Sequence, residues 1–270
     1  NGSYIKAVAN PNYALEAAKI PNVIFRVIAE DPVAIAALQN GEVDAWVGLA
    51  SLLGDVEDFT VTPYSEGRVA YVRLNRVSDN MQDANYRKGI LKALNKEEIL
   101  IAAYGSLDYA TPSYSFLPKT NGFYTEDLEK FEQDLDVAKE LVAGGATTLK
   151  LCHVAEPAQT AQAQVIQAQL KQIGIEVELC GVEQPAYMAT AYDNTDKTYD
   201  MYLGGYIMTI DPAGFSGMFT TGNMINYASK EIDDLFAASK VETDPEKRAE
   251  MFVELQQLVA EEALFYPFGT

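Results

Sequence analysis

The sequence has few of the residues on which catalytic and metal sites depend. Its 270 residues include one histidine, two cysteines and one tryptophan. Zinc sites need clustered cysteine and histidine, and a Ser–His–acid triad would have to use His153, inside a predicted strand, without a G-x-S-x-G turn. No G-x-x-x-x-G-K-[ST] or G-x-G-x-x-G phosphate loop occurs either. We therefore predict that the protein is not an enzyme and that it has no cofactor or metal.

Positive charge is also scarce. Twenty lysines and arginines stand against 39 acidic residues, which gives a net charge of -19. This balance argues against a nucleic-acid partner and against docking on anionic lipid, because both need a cationic surface. No apolar run approaches the roughly 20 residues that cross a bilayer. Solubility explains the acidic surface more simply than an acidic binding site does.

Cys152 and Cys180 occupy matching places in two strands that we expect to be neighbours, LKLCHV and VELCGV. A disulfide between them is compatible with an exported protein, but bridges across adjacent strands have poor geometry. Two buried thiols are the favoured interpretation, and both alternatives stay open.

The first 48 residues predict a βαβ unit. Residues 3–9 and 22–28 have the pattern of strands, and Asp31-Pro32 begins a short helix over Val33 to Leu38. Residues 42–48 follow as another strand, so strands 22–28 and 42–48 should be parallel with a right-handed crossover.

The remaining chain alternates between strands and helices, with one long surface loop at 105–124. We predict an alternating strand within 64–76, helices beginning after Asp83 and Asn95, a long amphipathic helix from Thr125, a second βαβ unit (147–154, 157–173 and 175–182), and closing helices after Ser229 and Asp244.

The segment 199–215, YDMYLGGYIMTIDPAGF, is the leading candidate for a ligand site. Its apolar run predicts a buried strand that Asp211-Pro212 ends, and Gly204-Gly205 allow a close approach to the backbone. Ligands of α/β folds bind beyond the carboxyl ends of strands, where this strand releases Tyr206, Met208 and Asp211. A core strand with a plain turn is an equally good interpretation of the pattern.

Aromatic residues are concentrated in loops at predicted strand ends. Tyrosine offers an apolar ring with a polar tip, which suits a ligand wall, although any one of these residues could instead be half-buried surface. The candidates are Tyr109, Tyr114, Phe116, Tyr124, Tyr206, Phe215, Phe219 and Tyr227.

Taken in order, the motifs resemble those of the solute-binding proteins of ABC importers, of the peptide/nickel-binding class known as bacterial extracellular solute-binding family 5. Each motif is weak alone, but together they cover nearly the whole chain. The matching segments are NPNY at 10–13, VIFRVIAEDPVAIAALQNGEVDAW at 23–46, RVAYVRLNR with DANYRKGILKALNKEEIL at 83–100, DLDVAKELVAGG, QAQVIQAQLKQIGIEVEL at 162–179, YDMYLGGYIMTIDP, and the closing helices.

The resemblance implies an α/β fold of the periplasmic-binding-protein type II kind, with mixed sheets flanked by helices. Residues 1–62 would be part of the first lobe, 63–266 the second lobe, and 267–270 the start of a return to the first lobe. Family members are roughly twice this long, so further first-lobe residues would precede Asn1 and follow Phe268.

The resemblance further implies an extracytoplasmic protein, periplasmic or lipid-anchored at the outer face of the cell membrane. As a monomer it would capture a peptide or similar solute between two lobes and deliver it to ABC permease subunits. The alternative is the ligand-sensing domain of a regulator with the same fold. The expected ligand-binding residues are Tyr206, Ile207, Met208, Thr209, Asp211 and Tyr114.

Within that site, Tyr206 stands where the family has a tryptophan. Peptide-binding relatives place an acid shortly after this aromatic residue to pair with the amino terminus of the ligand. Here the sequence Ile207-Met208-Thr209 contains no carboxylate, so Asp211 is the first acid available for that role.

Overall fold

The structure is a computed structural model, and it describes residues 2–48, 52, 54, 56, 58–62, 64, 67–208 and 210–269. The chain separates into two compact units, residues 1–61 and 62–270. In the described part, no helix is both long and apolar enough to cross a membrane.

In its described residues, the first unit contains a two-stranded antiparallel sheet and one α-helix. Its elements are β1 (Tyr4–Val8), β2 (Asn22–Arg26) and α1 (Asp31–Gln39). Every residue of β1 and β2 is exposed, whereas α1 buries Ile35 and Leu38 against Val56. The small apolar cluster of this unit therefore lies on the helix and leaves the sheet bare.

The βαβ unit predicted in this region is wrong. β2 pairs with β1 in antiparallel register, and no strand forms over 42–48. The backbone N–H of Glu42 donates to the carbonyl oxygen of Ala37 at 2.8 Å, closing the end of α1 after Gly41 adopts a positive φ. Among the described residues no strand pairs with 42–48, so its alternating pattern has no ladder to join.

The second unit is a mixed five-stranded sheet flanked by helices. Its strand order is β5-β4-β6-β3-β7, in which β5, β4 and β6 are parallel and β6, β3 and β7 are antiparallel. The elements are β3 (Arg68–Leu74), α2 (Ala84–Lys92), α3 (Lys96–Tyr104), α4 (Leu135–Leu141), β4 (Thr148–Val154), α5 (Pro157–Lys171), β5 (Glu176–Val182), α6 (Gln184–Ala191), β6 (Met201–Ile207), α7 (Ser216–Phe219), α8 (Lys230–Ser239), α9 (Pro245–Glu261) and β7 (Phe265–Gly269), with 3-10 turns at Asp79–Met81 and Pro212–Phe215.

The second predicted βαβ unit is confirmed. β4 and β5 are parallel, α5 connects them, and Gly174 takes a positive φ after the helix. Cys152 and Cys180 are paired in register, and both are free thiols, the first buried and the second half-buried. Burial is the main reason that the pKa of the Cys152 thiol is raised to about 12.

The long helix predicted from Thr125 is shorter than expected. Only Leu135–Leu141 is helical, and the Asp134 side chain caps it by accepting from the backbone N–H of Val137 at 3.1 Å. The preceding segment is held outside a helix by tertiary hydrogen bonds, such as those from the Asp134 N–H to Lys92 and from the Gln133 side chain to Ala93. These bonds satisfy carbonyl groups at the end of α2, a demand that local periodicity does not reveal.

One apolar core fills the second unit. Helices α2, α3, α5, α8 and α9 contribute fully buried side chains such as Ile90, Ile99, Ile166, Phe236 and Phe252. Arg87 is also buried there, and its guanidinium donates to the carbonyl oxygens of Met81 at 3.0 Å and Glu262 at 2.9 Å. Buried polar groups of this kind need such partners to be tolerated.

Candidate functional site

The carboxyl end of β6 has a backbone edge that the sheet does not fill. β4 pairs with β6 only at Leu151–Met201 and Cys152–Tyr202, whereas β3 accompanies β6 over its whole length. Residues 203–207 are thus paired on the β3 side alone among the described residues. An edge of this kind can accept an added extended segment through main-chain hydrogen bonds.

The two glycines of β6 allow side chains of the protein to approach its backbone. A Cβ at Gly204 would lie 2.6 Å from the hydroxyl of Tyr187 and 3.0 Å from that of Tyr71. A Cβ at Gly205 would lie 2.8 Å from Nη2 of Arg68. Successive residues of a strand face opposite sides, so the phenols cover one face and the Arg68 guanidinium covers the other.

Tyr206 lies in an aromatic cluster beside this edge. Its ring centroid is 4.9 Å from that of Phe215, 5.7 Å from that of Tyr71 and 6.2 Å from that of Phe265. Its hydroxyl donates to the carbonyl oxygen of Phe116, and desolvation raises its pKa well above the ordinary value. The residue is half-buried, so the cluster covers part of the ring and fixes its orientation.

The residues after Tyr206 lead to the surface. Ile207 is 54% exposed and Ile210 is 97% exposed, while Met208 is half-buried. The backbone N–H of Met208 donates to the carbonyl oxygen of Gly67 at 3.1 Å. Thr209, which was also predicted to bind ligand, lies outside the described residues.

Asp211 already has partners within the protein. Its carboxylate accepts from the backbone N–H of Ala213 at 3.0 Å and from Nη2 of Arg248 at 2.7 Å. Desolvation acts in the opposite direction, but these two donors hold the pKa of Asp211 below its ordinary value. The carboxylate stays ionised, and its charge is matched by Arg248.

A shallow, open depression adjoins Asp211. Its lining residues are Ile210, Asp211, Ala213, Gly214 and Lys240. The carboxyl end of β6 therefore continues into a concave surface that contains charged groups of both signs.

Tyr114 has neighbours different from those of the other candidates. Its ring faces two lysines, with Nζ of Lys96 at 4.9 Å and Nζ of Lys130 at 4.8 Å from the centroid. Desolvation and a hydrogen bond with Glu132 raise the pKa of Tyr114, and desolvation lowers the pKa of buried Lys96 well below its ordinary value. Within the described part of the chain, no hydrogen bond or ring contact joins Tyr114 to Tyr206 or Asp211.

The loop at 105–124 is less superficial than predicted. Ser113, Ser115 and Leu117 are buried, and Asn121 donates its side-chain amide to the carbonyl oxygen of Ile210 at 3.4 Å. Several aromatic residues proposed as ligand walls belong instead to the core, where they are 1% exposed or less: Phe116, Phe219 and Tyr227.

Sequence reasoning missed Arg68, Asn121 and Arg248. Each reaches the site through a long-range contact, to Gly205, Ile210 and Asp211 respectively. Only the alternation of β3 gave a signal, because it predicted a strand, but it could not reveal which strand would lie beside it.

His153 has a structural environment. It is 3% exposed, and its Nδ1 lies 2.8 Å from the carbonyl oxygen of Val154. Across the described ranges, no group of three or more His, Cys, Asp or Glu side chains could hold a metal ion.

Solved structures of two binding proteins superpose closely on this fold. The ABC transporter substrate-binding protein CtaP from Listeria monocytogenes matches with a TM-score of 0.93 and 29% identity, over 99% of this chain and 57% of that one. A putative peptide-binding protein, AppA from Clostridium difficile, matches with a TM-score of 0.88 and 30% identity, over 98% and 57%. The fold is that of type II periplasmic binding proteins, as the resemblance implied.

The sequence model described as "Bacterial extracellular solute-binding proteins, family 5 Middle" matches residues 1–227. The chain belongs to this family. It is 24% identical over 288 residues to the peptide transport periplasmic protein SapA of Haemophilus influenzae, and the match covers 98% of this chain and 50% of SapA. The chain thus spans about half the length of the curated relatives that it matches.

Proposed function

We propose that the chain is part of the extracytoplasmic solute-binding component of an ABC importer, which captures a peptide or similar small solute. Family membership and the similarity to SapA, CtaP and AppA support this class. The observation that carries the proposal is the open backbone edge of residues 203–207, because extended peptides bind such edges through main-chain hydrogen bonds.

The proposed capture occurs between two lobes. Residues 1–62 would contribute to the first, 63–266 would form the second, and 267–270 would return toward the first. A solute with higher affinity for the closed state would shift the population toward closure. The solute-loaded form would then deliver its cargo to permease subunits.

Other properties are proposed together with this role. We expect a monomer without enzymatic turnover, located in the periplasm or anchored by lipid at the outer face of the membrane. SapA is named for peptide transport and CtaP for an ABC transporter, so the hypothesis of a regulator's sensing domain gains no support from them.

In the proposed site, Tyr206 stacks on the solute and the backbone of the open edge near Gly205 hydrogen-bonds it. Isothermal titration of the complete protein with a panel of short peptides tests this. For a peptide that binds, we expect Tyr206→Ala to weaken binding about tenfold or more. Losing an aromatic contact and the preorganisation it provides reduces affinity by this order. Tyr199→Ala, beyond the other end of β6, is the matched control.

Analogues of the same peptide with N-methylated backbone amides test the edge itself. Each methyl group removes a donor without changing the side chains, so we expect weaker binding at the positions that face β6. Equal affinity of every methylated analogue would exclude main-chain pairing, and an unchanged dissociation constant for Tyr206→Ala would remove Tyr206 from the site.

A further inference from the structure

The Arg68 guanidinium has a defined position beside Gly205, at the carboxyl end of β6. In the antiparallel register Arg68 pairs with Ile207 and Ala70 with Gly205, so the side chain of Arg68 lies on the same face as Gly205. An added Cβ at Gly205 would be 2.8 Å from Nη2 and 3.0 Å from both Cζ and Nε. The guanidinium thus lies directly over the backbone of Gly205, a position that only glycine leaves open.

This cation has no acidic partner within the part of the chain that the structure describes. Among the described residues, no side-chain hydrogen bond or ion pair joins Arg68 to an acid, although the chain carries 39 acidic residues against 20 basic ones. Three of the six arginines are matched by acids: Arg26 by Glu42, Arg87 by Glu262, and Arg248 by Asp211. Arg68 is half-buried, so water screens it less than a fully exposed arginine.

The position of the Arg68 guanidinium adjoins the open backbone edge. Gly205 belongs to residues 203–207, which β4 does not pair, and the neighbouring Ile207 is 54% exposed. A solute segment added along this edge would pass beside the guanidinium. A planar fork of N–H donors binds a carboxylate with two parallel hydrogen bonds.

We infer that Arg68 binds a carboxylate of the solute, so that an anionic group rather than an ammonium group orients it at the end of β6. This inference rests on the proposed function, and it names the charge of the solute at this site. It agrees with the state of Asp211, whose charge Arg248 already matches at 2.7 Å. The site therefore selects solutes by a negative group.

The test compares short peptides that have a free carboxyl terminus with the same peptides as carboxyl-terminal amides, by isothermal titration of the complete protein. We expect the free acids to bind about tenfold to a hundredfold more tightly, as for hydrogen bonds to charged groups. Arg68→Gln should abolish this ratio. Arg76→Gln, which removes a half-buried arginine roughly 25 Å away beyond the other end of β3, should preserve it.

Gly205→Ala provides a second variant that keeps the charge. The backbone at 205 does not have a positive φ, so alanine is compatible with the strand, but its Cβ would displace the flexible end of Arg68. We expect the acid-to-amide ratio to fall while the unfolding midpoint stays close to that of the parent. Gly205→Ala therefore distinguishes the effect of the guanidinium's position from a general effect of removing its charge.

The outcomes distinguish the inference from the proposed function. If acids and amides bind equally, peptide capture stands and the role of Arg68 is overturned. If peptides do not bind but a simple dicarboxylate such as glutarate does, and Arg68→Gln abolishes that binding, Arg68 is supported and the peptide class is overturned. If neither the peptides nor glutarate binds, both fail.

Discussion

The two units of the chain use apolar residues in opposite ways. Ile5, Ile24 and Phe25 of the first sheet are each more than half exposed, whereas six of the seven residues of β3 are buried. A two-stranded sheet with no covering layer is marginal by itself, and three or more strands packed on helices are needed for independent stability. Apolar strands in a sequence therefore do not reveal where stability lies, and we expect it to lie in the second unit.

The largest expected contrast is between two phenylalanines. Phe252 is fully buried in α9, with its ring centroid 4.8 Å from that of Phe123, whereas Phe25 is 59% exposed in β2. Phe252→Ala should reduce the free energy of unfolding by about 3–5 kcal/mol. Phe25→Ala should change it by less than about 0.5 kcal/mol. Urea unfolding of this chain measures both, and similar losses would contradict the contrast.

A smaller contrast is expected between two arginines. Arg87→Met would leave buried carbonyl groups of Met81 and Glu262 without their donor, at a cost of about 2–3 kcal/mol. Arg26→Met removes an ion pair with Glu42 at 3.2 Å whose side chains are 42% and 54% exposed, and exposed pairs contribute less than about 1 kcal/mol. Unfolding in 0.1 M and 1 M salt checks this, because salt should screen the exposed Arg26–Glu42 pair more strongly than the hydrogen bonds of buried Arg87.

The smallest contrast concerns helix caps. The Asp83 side chain accepts from the backbone N–H groups of Asn85 and Tyr86 at the start of α2, whereas Glu30 makes no such bond at the start of α1. Asp83→Ala should cost about 1 kcal/mol and Glu30→Ala only a few tenths. Thermal unfolding of the two variants side by side is the measurement, and a larger loss for Glu30→Ala would reverse the ranking of the units.

Much of the second unit could be predicted because its signals are local. Asp83, Asn95, Ser229 and Asp244 were predicted to cap helices, and each side chain accepts backbone N–H groups in the structure. The βαβ unit ending at Val182 was likewise predicted from local alternation and the stop at Gly174. Local hydrogen bonding and periodicity decided these elements.

The wrong predictions share a dependence on distant partners. The segment after Thr125 has helical spacing, yet contacts with α2 hold it in another conformation. The segment at 42–48 has strand spacing but no strand beside it in the described ranges. For the candidate site, the end of β6 could be found from Asp211-Pro212, whereas Arg68 could not, because only the β3–β6 register brings it to Gly205.

The brief contact between β4 and β6 has a mechanical consequence. The parallel and antiparallel halves of the sheet meet at only two residue pairs, between β4 and β6. This is the shortest strand pairing in the sheet. A solute strand hydrogen-bonded along residues 203–207 would give the free edge of β6 a second partner beyond those two pairs. Amides of this edge would then exchange with solvent more slowly in the occupied protein than in the empty one.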